Sequence, residues 1–187
     1  SILKPLDERG AVLGSLPPLQ TFPDFDSAIH VLPSTYIFAE GTVHALPRLE
    51  ILGKSIGLTT VPIEGDDKVY YHLSAVFVCN LLCALLYAGE AIMKRINIGL
   101  EPFFPIIRAT LENIESRGPL MSLTGPIIRG DTGTVEDHIR AMDDMEIHKR
   151  IYKALSLSAL DMAKKRSVLN QETLIDLEHI LEAINDE

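Results

Sequence analysis

Two polar side chains interrupt the most apolar stretch of this sequence, and they are the first candidates for chemistry. His72 stands near the entrance of residues 70–93, YYHLSAVFVCNLLCALLYAGEAIM, and Asn80 lies eight residues further on. On a helix that spacing is about 12 Å along the axis and roughly 80° around it. An imidazole can give or take a proton near neutral pH, and a carboxamide can orient a substrate by donating and accepting at once. An amide in so apolar a setting must be hydrogen-bonded, because leaving it unpaired costs on the order of 1–3 kcal/mol. Two readings follow from the residues. Either Asn80 bonds a neighbouring helix or a subunit partner, or His72 and Asn80 look into a cleft and hold a substrate. Lys68, one turn before His72, reads as a surface residue at the helix start.

The stretch that positions them carries no Pro, and Gly89 is its one Gly. Its composition predicts a helix too apolar to be exposed, hence a buried central helix covered by other elements. A lipid span fits less well, because the uncharged part, residues 73–89, falls short of the roughly 20 residues a bilayer requires. Cys79 and Cys83 share a face of this helix, and the expectation is two buried free thiols in a reducing cytoplasm. The six histidines never cluster along the chain, and no zinc pattern is formed, so no metal is expected.

Before this helix the chain alternates strand and helix; after it, the reading is helix throughout. Residues 1–7 read as the tail of a helix, and 11–15 as a short buried strand, the last step of a parallel α/β sheet. Residues 16–24, rich in Pro, form an extended loop of the kind from which α/β folds build ligand sites. Residues 35–40 and 58–63 read as strands, with a helix over 45–56 between them. Residues 64–67 form a turn. Pro102 and Pro105 start a helix with Ile107, Leu111 and Ile114 on its core face and Gly118 as its stop. Residues 119–133, PLMSLTGPIIRGDTG, are irregular but packed, and Thr134 caps the next helix. Ile147, Ile151, Leu155 and Met162 stripe another, and Leu174, Leu177, Leu181 and Ile184 the last, which begins at Asn170.

A chain of 187 residues with 47% hydrophobic and 23% charged residues describes a globular protein with room for one good core. A net charge of −9 excludes neither enzyme nor module, but argues against nucleic acid and against an anionic membrane surface. The sequence holds no G-x-G-x-x-G, no P-loop, no G-x-S-x-G elbow and no H-E-x-x-H pair.

Four stretches taken together resemble one family: residues 14–22 (GSLPPLQTF), 38–41 (FAEG), 67–72 (DKVYYH) with Asn80, and 123–131 (LTGPIIRGD). The last is the most specific. The resemblance is to largely uncharacterised Rossmann-like proteins predicted to be NADP-dependent oxidoreductases. These carry a helical C-terminal domain of the 6-phosphogluconate-dehydrogenase type, as in ketopantoate and pyrroline-carboxylate reductases. It implies a mainly α fold with a small α/β N-terminal part: residues 1–65 as the tail of a Rossmann-type domain, and 66–187 as an all-helical substrate-binding and dimerisation domain. It implies NADP or NAD bound mainly by a domain upstream of Ser1, a small-molecule carbonyl or imine substrate, and a homodimer. By the same resemblance His72 and Asn80 are catalytic. Leu19, Gln20 and Thr21 lie by the nicotinamide, and Thr124, Gly125, Arg129 and Asp131 bind substrate, Arg129 as a partner for a carboxylate. One departure counts against activity: where the family pattern has His, this chain has Pro17. The alternative is a non-catalytic helical dimerisation module without a nucleotide site of its own.

Overall fold

In a computed structural model the protein is mostly helical, with a small three-stranded sheet near its N-terminus; residues 4–22 and 24–184 are described. The expected helix tail at the start is present as α1 (Lys4–Asp7), while residues 1–3 lie outside the described residues. The chain divides into two compact units, Ser1–Leu85 and Leu86–Glu187.

In the first unit the sheet has the order β1 (Gly14–Ser15), β2 (Tyr36–Gly41), β3 (Thr59–Pro62). β2 and β3 are parallel, with Tyr36 opposite Thr59 and Ala39 opposite Pro62. β1 is shorter than the expected strand and pairs antiparallel to β2, Gly14 with Gly41 and Ser15 with Glu40. It is therefore not a step of a parallel sheet, and Val12, expected in a buried strand, is half exposed. After a short helix, α2 (Phe25–Val31), the aromatic and β-branched run of β2 alternates as a strand must. Ile37 and Ala39 are buried beneath α3 (Leu46–Ser55), where Gly53 lets the helix approach Ile37 and Thr60 closely. Phe38 points to the other face and stacks on Tyr71, ring centroids 4.5 Å apart. That contact seats α4 (Lys68–Ala75) on the sheet.

The central helix runs from α4 through one π turn, Val76–Asn80, into α5 (Leu81–Met93). It is not the buried helix its composition predicts. It is long and apolar enough to cross a membrane, yet none of its most apolar window is buried in the chain. Phe77, Val78 and Tyr87 are each more than 60% exposed, and Cys79 and Cys83 are exposed rather than buried thiols. The expectation failed for a physical reason: apolar composition states that a surface needs cover, not that the same chain supplies it.

The second unit contains α6 (Phe104–Ser122), α7 (Pro126–Arg129), α8 (Thr132–Ala141), α9 (Glu146–Arg166) and α10 (Gln171–Glu182). Asn97 takes the left-handed conformation that ends the central helix, and Gly118 (φ 76°) interrupts α6 at its expected stop. The core gathers Ile127, Val135, Leu160, Leu177, Leu181 and Ile184. The α10 stripe is as expected, and Asn170 caps that helix by accepting from the Thr173 amide at 2.8 Å. On α9 the buried line is Ser156, Leu160 and Ala163; Ile147 and Leu155 are exposed. The small side chains allow close helix packing, so hydrophobicity alone selects a neighbouring face. Leu111 of α6 is likewise half exposed.

Candidate functional site

The strand register of the first unit builds a polar cluster. Because Ser15 sits opposite Glu40, both side chains meet at the carboxyl end of β2, where α4 begins. Lys68 Nζ donates to Glu40 Oε2 at 2.9 Å and to Ser15 Oγ at 3.4 Å, and Ser15 Oγ lies 3.4 Å from the same carboxylate oxygen. The Glu40 carboxylate, through that hydrogen bond, holds the Lys68 ammonium above the ordinary lysine range. Lys68 is partly exposed, as expected at a helix start, but it is also fixed by two partners 28 and 53 residues away in sequence. Local reading missed this. The acidic residue ending a strand and the cation opening the helix after the next strand were the available signal.

His72 is exposed one turn beyond Lys68, and Asn80 is exposed as the last residue of the π turn. Such turns recur at functional sites in helices. The helix keeps the two about 12 Å apart along its axis; it does not bring them into one constellation.

Leu19, Gln20 and Thr21 lie elsewhere. Their loop continues alongside β2: Leu19 donates its amide to Tyr36 O at 2.8 Å, and Phe38 donates to Pro17 O at 3.2 Å. Gln20 bonds Thr35 Oγ1 at 3.4 Å through its amide nitrogen and accepts from the Thr21 amide at 2.9 Å. Because β1 is antiparallel to β2, this loop runs toward the start of β2. Strand rise then separates Gln20 from the Lys68 cluster by roughly 17 Å.

In the second unit, Thr124, Gly125 and Arg129 line one groove of about 340 Å³, together with Leu123, Ile128 and Arg166. Gly125 (φ 104°) and Gly130 (φ 71°) bracket α7 in conformations that L side chains rarely adopt. Arg166, at the end of α9, was not anticipated; it donates to Leu123 O at 2.9 Å, bracing the groove wall. Asp131 is the N-cap of α8, not Thr134: its Oδ1 accepts from the Thr134 amide at 3.0 Å and its Oδ2 from the Thr134 hydroxyl at 2.7 Å. Those bonds, the hydroxyl first, hold its carboxyl below the usual range. Arg129 lies 4.0 Å from Asp131. The groove thus presents two guanidinium groups beside apolar walls, a setting able to receive a carboxylate.

Fold and side chains define a class: a helical module carrying a small sheet, with a polar cluster where strand meets helix. Residues 35–159 match the domain of unknown function DUF2520, and the chain belongs to that family. Among solved structures it is similar to protein TM1727 from Thermotoga maritima, at 23% identity and a TM-score of 0.73, covering 82% of this chain and 62% of that one. It is also similar to BF3122 from Bacteroides fragilis, named a putative NADP oxidoreductase, at 24% identity and a TM-score of 0.68, covering 79% of this chain and 57% of that one. At these identities the likeness is one of fold, and the chain spans about three fifths of each of those proteins. No curated protein matches it.

Proposed function

We propose that this chain is the substrate-binding, helical portion of an oxidoreductase that moves a hydride between a nicotinamide dinucleotide, NADP or NAD, and a small carbonyl or imine. The observation that carries this is the Lys68–Glu40–Ser15 cluster at the carboxyl end of β2, with His72 one helical turn away. A cation fixed by a carboxylate can donate to a substrate oxygen as negative charge builds there. His72 supplies the proton that completes reduction. In the second unit, taken by itself, the groove of Arg129 and Arg166 is suited to a carboxylate. The substrate class is the one that the resemblance of residues 14–22, 38–41, 67–72 and 123–131 implies. The dinucleotide belongs to a segment upstream of Ser1, since the sequence holds no G-x-G-x-x-G and no P-loop to cradle a pyrophosphate; Leu19, Gln20 and Thr21, roughly 17 Å from the Lys68 cluster, would contact it away from the reacting carbon.

The test uses the full-length gene product. NADPH is titrated by fluorescence, and its oxidation is followed with a panel of small 2-oxo acids and cyclic imino acids. Lys68→Met and His72→Gln should each lower turnover about 10²-fold while helicity by circular dichroism is unchanged. Failure of the full-length protein to bind NADPH refutes the proposal. A second reading, a non-catalytic dimerisation module, is favoured by the uncovered central helix and by Pro17. It requires that neither substitution matter.

A further inference from the structure

The groove of the second unit holds positive charge that its own surroundings leave uncompensated. Arg166 is half-buried and carries a fork of N–H donors, of which Nη1 bonds Leu123 O at 2.9 Å. Among the described residues no carboxylate pairs with it, whereas its neighbours Lys164 and Lys165 are taken by Glu178 and Asp161. Arg129 stands 4.0 Å from Asp131, whose oxygens are both engaged by Thr134. In a chain of net charge −9, two such guanidinium groups on one groove are a local exception. The described walls are otherwise Leu123, Ile128 and Val168, with Thr124 as their hydroxyl.

We propose that this groove takes the carboxylate of a small acid with an apolar body, branched aliphatic or aromatic, and disfavours hydroxylated acids and phosphate. The inference deepens the oxidoreductase reading, on which it rests only for calling the acid a substrate, and it concerns the second unit alone. With Nη1 pinned by Leu123 O, Arg166 keeps its Nε and Nη2 N–H groups, a parallel pair that matches the two oxygens of a carboxylate. Arg129 supplies the second positive charge. The volume of about 340 Å³ is at the small end for ligand pockets, so the acid has few atoms. An isobutyl group or a ring loses water against Leu123, Ile128 and Val168 and gains by it. A sugar acid carries a hydroxyl on each carbon of its body. Thr124 can pair with one of them, and those turned to the apolar wall give up water without a replacement partner. Phosphate satisfies the arginines but brings nothing to the wall. Charge therefore draws the anion in, and the wall selects its body.

The test uses the full-length gene product without nucleotide and two acids of equal carbon number, 4-methylpentanoate and gluconate, with inorganic phosphate as competitor. Saturation-transfer NMR should give 4-methylpentanoate a Kd on the order of 1 mM, in keeping with its few atoms, and gluconate should bind at least about 10-fold more weakly. Arg129→Gln and Arg166→Gln should each weaken the acid about 10-fold with helicity unchanged. Val168→Thr keeps the shape of a half-exposed side chain and adds a hydroxyl. It should narrow the preference for 4-methylpentanoate over gluconate about threefold, a shift that merely structural arginines would not produce. Should Arg166→Gln fail to fold, Arg129→Gln and Val168→Thr still decide. Gluconate binding as tightly as 4-methylpentanoate overturns the proposal. So does phosphate that displaces the acid at equal concentration, and so does acid binding indifferent to both arginine substitutions. Acid bound by a protein that takes up no NADPH upholds the groove and removes the oxidoreductase reading; NADPH uptake without acid binding does the reverse.

Discussion

Gly130 ties the candidate groove to the core of the second unit, and Gly130→Ala tests that connection. Its φ of 71° lies in the left-handed region, where an L side chain costs about 1–2 kcal/mol. A Cβ there would also stand 2.7 Å from Thr173 Cγ2 and 3.0 Å from Leu169 Cδ2, and overpacking of that kind costs about 1–3 kcal/mol. Loss of chain entropy in the unfolded state returns about 0.4–1 kcal/mol. The net expectation is a destabilisation of about 3 kcal/mol, which at an m-value of about 2 kcal/mol per molar shifts the urea midpoint by roughly 1.5 M. Far-UV circular dichroism during urea unfolding reads it. Thr173→Ser removes the clashing methyl, so in that background the same Gly130→Ala change should cost about 1 kcal/mol less. A Gly130→Ala protein within about 0.5 kcal/mol of wild type would show that the turn after α7 is not held as described. An unchanged cost in the Thr173→Ser background would show that helix α10 does not press on it.

Two further predictions address the core and the polar cluster. Leu177 is fully buried in the second unit, so Leu177→Ala should cost about 2–5 kcal/mol in urea unfolding; a loss below about 1 kcal/mol would contradict its place in the core. The Lys68–Glu40 pair is partly exposed, so it contributes about 0–1 kcal/mol. Glu40 raises the folded pKa of Lys68, so this contribution is fully present below the ordinary lysine pKa and is lost as pH rises through the folded value. The stability difference between wild type and Glu40→Gln, followed by thermal unfolding across alkaline pH, should therefore shrink above about pH 10.4. A difference that grows there would reverse the sign of the coupling.

Legibility in the sequence tracked the range of the interactions involved. The strand at β2, the break at Asn97, the stop at Gly118 and the α10 stripe are local consequences of β-branching, left-handed turns and helical spacing, and each stands where residue types place it. The α9 face was misread because Ser156 and Ala163 are buried by close packing, which a count of large apolar residues does not register. The Lys68–Glu40–Ser15 cluster was missed because it depends on the antiparallel register of Ser15 with Glu40, a pairing that short strands do not advertise. Thr124, Gly125 and Arg129 do share a groove, whereas Asp131 uses both carboxylate oxygens to cap α8.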